Sequence, residues 1–188
     1  MTVVVIGASW GGLDALMDLL GALPTDFACP VIVAQHRAPG DPHERLAKVL
    51  ERHSALPVED ADDKLPIRPG HVYLAPADYH LMVERGHLEL TVDDPVEYSR
   101  PSVNVLFESA AAAYGSDVVA VLLTGLGRDG AQGLARVRDA GGCTIVQEPE
   151  SAVQGEMPQA GIDAGGAAEV MPLDEIAVRL IELCKVTA

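Results

Sequence analysis

Along the chain, short runs of β-branched and aliphatic residues alternate with longer segments in which apolar positions recur every three or four residues. That alternation predicts repeated βα units around a mainly parallel sheet. Strands are expected at 2–6 (TVVVI), 30–34 (PVIVA), 117–123 (DVVAVLL), 143–147 (CTIVQ) and 167–170 (AAEV). Their unbroken hydrophobicity points to burial on both faces. A helix is expected at 12–22, where Leu13, Leu16, Leu19 and Leu20 form one stripe. Others are expected between Pro101 and Gly115, over 130–140, and after Pro172. The stretch 71–92 reads differently: HVYLA and HLMVE, then Arg85-Gly86 and HLELTV, predict an antiparallel hairpin that decorates the parallel core. The expected fold is α/β: a three-layer αβα arrangement with a mainly parallel, doubly wound sheet, as one domain over 1–188.

Composition narrows the partners. With 48% hydrophobic residues in 188, the chain has ample material for one core. Asp and Glu outnumber Lys and Arg by 28 to 13, for a net charge of -15. Such an excess repels phosphate, which excludes nucleic-acid binding by a general basic footprint and disfavours anionic membrane surfaces. No apolar run approaches a membrane span and no basic leader precedes the first strand, so membrane insertion is not expected. Cys29, Cys143 and Cys184 are too few and too scattered for a disulfide framework, and the expected compartment is a reducing cytoplasm. The acidic runs at 60–63 and 92–95 read as solvated loops.

In open α/β sheets, reacting groups gather beyond the C-terminal ends of the strands. The first strand runs into Gly7-Ala8-Ser9-Trp10-Gly11-Gly12, the second ends at Ala34-Gln35-His36, and 117–123 ends in Thr124-Gly125-Leu126-Gly127-Arg128-Asp129-Gly130. A serine, a histidine and an aspartate thus stand at three strand ends, the set that nucleophilic hydrolysis needs. Each has a structural alternative. Ser9 would serve equally as a helix cap, His36 as a solvated loop residue, and Asp129 with Gln132 as a capping box for helix 130–140. Other chemistries fit less well. The dinucleotide fingerprint fails at Ser9, where glycine is required, and no G-K-[ST] follows the glycines, so no cofactor is expected. The histidines show no compact ligand spacing, and Asp78 with His80 reads as an ordinary hydrogen-bonded strand edge, so no metal is expected either. Cys143 opens a buried strand without an activating charge and reads as a packed thiol.

The segments IGASWGGLDAL, VAQH, HVYLAPADYHL, RPSVNVLFESAA and LTGLGRDGAQGL, in that order, resemble the catalytic domain of CheB-type protein-glutamate methylesterases. The resemblance spans nearly the whole chain. It implies Ser9 as nucleophile, His36 as general base and acid, and Asp129 as the orienting carboxylate. It implies hydrolysis of glutamate methyl esters on the cytoplasmic helices of methylated chemoreceptors, with deamidation of glutamines as a companion activity. Oxyanion donors fall on the amides of Trp10 and Leu126, and Gly11 and Gly12 are expected to let substrate approach closely. The chain departs from the family pattern at Trp10, where a small residue is usual and an indole is expected to narrow the cleft. Asn104 stands where Asp is usual, and EMPQ (156–159) lacks a usual cation. Arg128 is expected to supply positive potential at the cleft mouth for an acidic partner. The family's phosphorylation-controlled members carry a receiver domain before this unit. With the first strand beginning at Thr2, no receiver domain is expected in this chain, which leaves three readings open: a constitutive stand-alone version, one governed by a separate regulatory receiver protein, or a piece of a longer protein. Two other functions remain open at this point: a catalytically silent receptor-binding module, and a small-molecule carboxylesterase.

Overall fold

A computed structural model describes residues 1–38, 40 and 43–185, with the side chains of 43 and 44 excepted. Among the described residues the chain forms nine strands and six α-helices. The central strand β1 (Val3–Ala8) is buried at every position and pairs in parallel with β2 (Val31–Gln35) on one side and β7 (Val118–Leu122) on the other. The sheet extends through β4 (Val72–Leu74) to β3 (Val58–Asp60) at one edge, and through β8 (Cys143–Gln147) to β9 (Glu169–Met171) at the other. All of these pairings are parallel.

Alternation along β1 divides the core. Val4 and Ile6 face α1 (Gly12–Gly21), α2 (His43–Glu51) and α6 (Leu173–Leu183). Val3 and Val5 face α3 (Val103–Tyr114), α4 (Ala131–Asp139), α5 (Glu156–Asp163) and the hairpin of β5 (His80–Glu84) and β6 (His87–Thr91). The three-layer expectation therefore holds. So does the hairpin, whose register pairs Glu84 with His87 across Arg85-Gly86, with Gly86 at φ 86°. Glycine suits that left-handed turn position.

Three expectations need correcting. Val72–Leu74 belongs to the parallel sheet between β2 and β3, not to the hairpin region, because all three residues are buried on both faces. The acidic run at 60–63 is not simply solvated: Asp60 ends β3 and pairs with Arg37 at 3.7 Å, and Asp63 accepts from the Leu90 amide at 3.1 Å. Cys29 and Cys184, 155 residues apart, come to a Cα separation of 5.8 Å and form a disulfide. Cys143 stays free, and burial pushes its thiol above its ordinary pKa, with Glu169 adding to the shift. Among the described residues, no helix is long and apolar enough to cross a membrane.

Candidate active site

The chain reverses direction across the sheet at β1, since β2 and β7 lie on its opposite sides. A crevice opens at such a switch point beyond the strand ends. Ser9 follows β1, His36 follows β2, and Asp129 lies in the loop after β7. His36 Nδ1 lies 3.1 Å from Ser9 Oγ, and His36 Nε2 lies 2.7 Å from Asp129 Oδ2. An ionised carboxylate can only accept, so the Nε2 proton points at Asp129 and the Nδ1 lone pair at the serine hydroxyl. With that tautomer, the ring can take the Ser9 proton. His36 also lines a cleft of about 360 Å³ with Leu126, Arg128 and Asp129.

Backbone bonds hold Ser9. Its amide donates to the Thr124 carbonyl at 2.9 Å, and its carbonyl accepts from Gln35 Nε2 at 2.9 Å. It caps nothing: the residue before α1 is Gly11, at φ 80° and with no side-chain cap. Asp129 is buried, and its carboxylate is saturated. Oδ2 accepts from the Val103 amide at 2.7 Å, while Oδ1 accepts from Ser102 Oγ at 2.9 Å and the Asn104 amide at 3.0 Å. These donors are the N-terminus of α3, whose positive end compensates a buried negative charge. The capping box with Gln132 is not formed, since Gly130 precedes α4 without a side-chain cap. Asn104 does that work from across the interface: its Oδ1 accepts from the amides of Gly130 at 3.0 Å and Gly133 at 2.8 Å.

Among the described residues, the amides of Trp10 and Leu126 donate to no protein group, which leaves both free for a ligand oxygen. The neighbouring glycines are closely packed. A Cβ on Gly11 would meet Val153, and one on Gly12 would meet Gln35 and Ala8. The Trp10 indole stands 64% exposed and is not among the side chains that line the cleft beside His36. Arg128 does not offer a free cation, because its Nε donates to Glu97 Oε2 at 3.0 Å. Glu156, in EMPQ, accepts from the Gly127 amide at 3.0 Å and so braces the same loop. Asp78 and His80 are otherwise engaged: Asp78 binds Arg100 at 2.6 Å, and His80 Nδ1 accepts from the Ser102 amide at 3.2 Å.

A family model described as CheB methylesterase matches residues 4–180. The chain belongs to the CheB methylesterase family. A protein-glutamate methylesterase/protein-glutamine glutaminase of Nitrosospira multiformis is 44% identical over 183 residues, covering 96% of this chain and 51% of that protein. The chain thus spans about half the length of that relative. A putative protein of the same description from Leptospira interrogans is 37% identical, covering 96% of this chain and 93% of its own length. The crystal structure of the Thermotoga maritima CheB methylesterase catalytic domain superposes with a TM-score of 0.91 at 38% identity, covering 97% of this chain and 98% of that one. The fold of this CheB family member is therefore that of the catalytic domain.

Sequence reasoning missed Gln35, Ser99, Ser102 and Thr124 as parts of the site, and marked Asn104 only as a departure from the family pattern. Ser99 Oγ lies 3.4 Å from His36 Nδ1, on the same side as Ser9. Thr124 Oγ1 donates to the Trp10 carbonyl at 2.9 Å. Gln35 and Thr124 had one available signal, since each is a polar residue where a buried strand ends.

Proposed function

We propose that this chain is a serine hydrolase that demethylates glutamate methyl esters on the cytoplasmic helices of chemoreceptors, and deamidates glutamines with the same machinery. The observation that carries the reading is the hydrogen-bonded line from Ser9 Oγ through His36 to Asp129. Ser9 Oγ attacks the ester carbonyl while His36 Nδ1 takes its proton. The resulting oxyanion faces the free amides of Trp10 and Leu126, where preorganised donors stabilise the charge as it develops. Collapse expels methanol, protonated by His36. A water activated by the neutral imidazole then releases the glutamate carboxylate and restores Ser9. With a glutamine in place of the ester, the first leaving group is ammonia. Asp129, held by α3, fixes the tautomer and balances the imidazolium.

Methanol released from a methylated receptor cytoplasmic fragment tests the reading. Ser9→Ala is expected to lower the rate by about 10⁴-fold or more. Methanol release by Ser9→Ala at the wild-type rate would overturn it. Receptor binding without methanol release or Ser9 labelling would indicate a silent module. Rapid turnover of simple methyl esters with none on protein would indicate a small-molecule carboxylesterase.

A further inference from the structure

The net charge of the chain is -15, yet several large apolar side chains stand exposed near Ser9. Trp10 is 64% exposed, Val153 65%, Leu126 43% and Tyr98 fully. Single exposed apolar residues are ordinary, but several at the mouth of one cleft form a patch of the kind that marks an interaction site. The site's own hydrogen bonds tie their loops together. Thr124 Oγ1 donates to the Trp10 carbonyl and accepts from the Gln154 amide, both at 2.9 Å. Val153 covers Gly11, where a Cβ would stand 2.7 Å from the valine Cβ. Leu126 and Tyr98 line the cleft together with His36 and Asp129.

Tyr98 is held out by a costly turn. Glu97 and Tyr98 have φ of 47° and 62°, between Val96 and Ser99, which pair with each other. Bulky non-glycine residues seldom occupy that left-handed region. The turn is anchored twice in the site, by Glu97 on Arg128 and by Ser99 Oγ, 3.4 Å from His36 Nδ1. Strained backbone held so firmly at a cleft is a feature of functional segments. The same turn pairs Arg128 with Glu97, which offsets the cation at the mouth.

We propose that Trp10, Leu126, Val153 and Tyr98 form a docking collar that selects a substrate segment by its lack of charge. A methyl-esterified helix whose neighbouring side chains are apolar, amidated or still esterified seats on the collar. One bearing carboxylates there is disfavoured by the net field of the chain, with the Arg128 charge already paired to Glu97. The proposal rests on the esterase reading and adds a consequence to it. Each hydrolysis consumes one water and releases methanol and a proton, leaving a carboxylate on the segment. On a helix with several esters, every turnover therefore slows the next.

Two matched helical peptides test this. Each carries one glutamate methyl ester, flanked one turn away on both sides by Gln in the first and by Glu in the second. The wild type is expected to favour the neutral peptide by about tenfold or more in kcat/KM, mainly through KM. High salt, about 0.5 M, should shrink the preference. Trp10→Ala should narrow the ratio by loss on the neutral peptide, and Glu97→Gln by gain on the acidic one. Equal kcat/KM for both peptides, or preference for the acidic one, overturns the proposal. Trp10 is the chain's sole tryptophan, so its fluorescence in Ser9→Ala reports docking without turnover. A Kd about tenfold lower for the neutral peptide supports the collar, and equal Kd values overturn it. Absence of methanol from both peptides counts against the esterase reading alone, because the titration still decides the docking.

Discussion

Asp129 and Asn104 exchange helix ends. Asp129 precedes α4 but accepts from the first residues of α3, while Asn104 lies in α3 and accepts from the amides of Gly130 and Gly133. The carboxylate that orients His36 is thus fixed by two helices that lock each other. Both residues are buried, so an amide that loses its partner there has no water to turn to. Asn104→Ala orphans two donors and is expected to cost about 2–4 kcal/mol of unfolding free energy in urea, with lowered methanol release as Asp129 loosens. Asn104→Asp keeps an acceptor for both amides and should restore most of each. Ser9, His36 and Asp129 were legible because each residue type stands where a predicted strand ends. Asn104 and Ser102 were not, since both sit at a helix start where capping already explains them, and only the packing of α3 on α4 reveals whose amides they serve. The same limit produced the capping-box expectation for Asp129, which rested on neighbours in sequence.

Elements that are buried on both faces or strongly periodic could be read from the chain, as β1, β7, α1 and α6 were. Elements pinned only by distant partners could not. β4 is three residues long and earns its place from β2 and β3 on either side. β3 carries no strand signal, and its last residue, Asp60, opens the run that reads as a solvated loop, because an edge strand tolerates exposed Glu59. α5 carries Pro158 and Gly161, poor helix formers, yet Pro158 sits in the first turn, where its missing amide is harmless, and Gly161 leaves room for Leu122 and Leu134. The contact that most affects the site also hides in a glycine. A Cβ on Gly7 of β1 would collide with the Val103 side chain, so this glycine lets the first turn of α3 lie directly on the sheet beside Ser9. Gly7→Ala should push α3 outward and carry Asp129 away from His36. A displacement of this kind is expected to lower kcat/KM on methylated protein by about 10²-fold, with an overpacking cost of about 1–3 kcal/mol in urea unfolding. Wild-type activity in Gly7→Ala would show that α3 does not set the site.

At the scale of the molecule, the candidate site and the disulfide lie at opposite ends of the sheet's strands. Ser9, His36 and Asp129 gather at the C-terminal ends of β1, β2 and β7. Cys29 precedes β2, at the opposite end of the strands, and there joins Cys184, the residue that follows α6. A separation of 155 residues hides this proximity in the sequence, where the cysteines read as scattered. Both cysteines lie in the buried cluster beneath α1 and α6, so the bond fastens the last helix to the start of a central strand. Closing so long a loop restricts the unfolded chain strongly, and breaking it is expected to remove about 2–4 kcal/mol of stability. Urea unfolding with and without reductant measures that difference, and a Cys29→Ala/Cys184→Ala protein should be insensitive to reductant. Because the bond lies across the sheet from the site, methanol release under native conditions should change less than about twofold on reduction, as expected for sites without shared partners. Loss of activity on reduction while the fold stays intact would mean that the two ends of the sheet's strands are coupled.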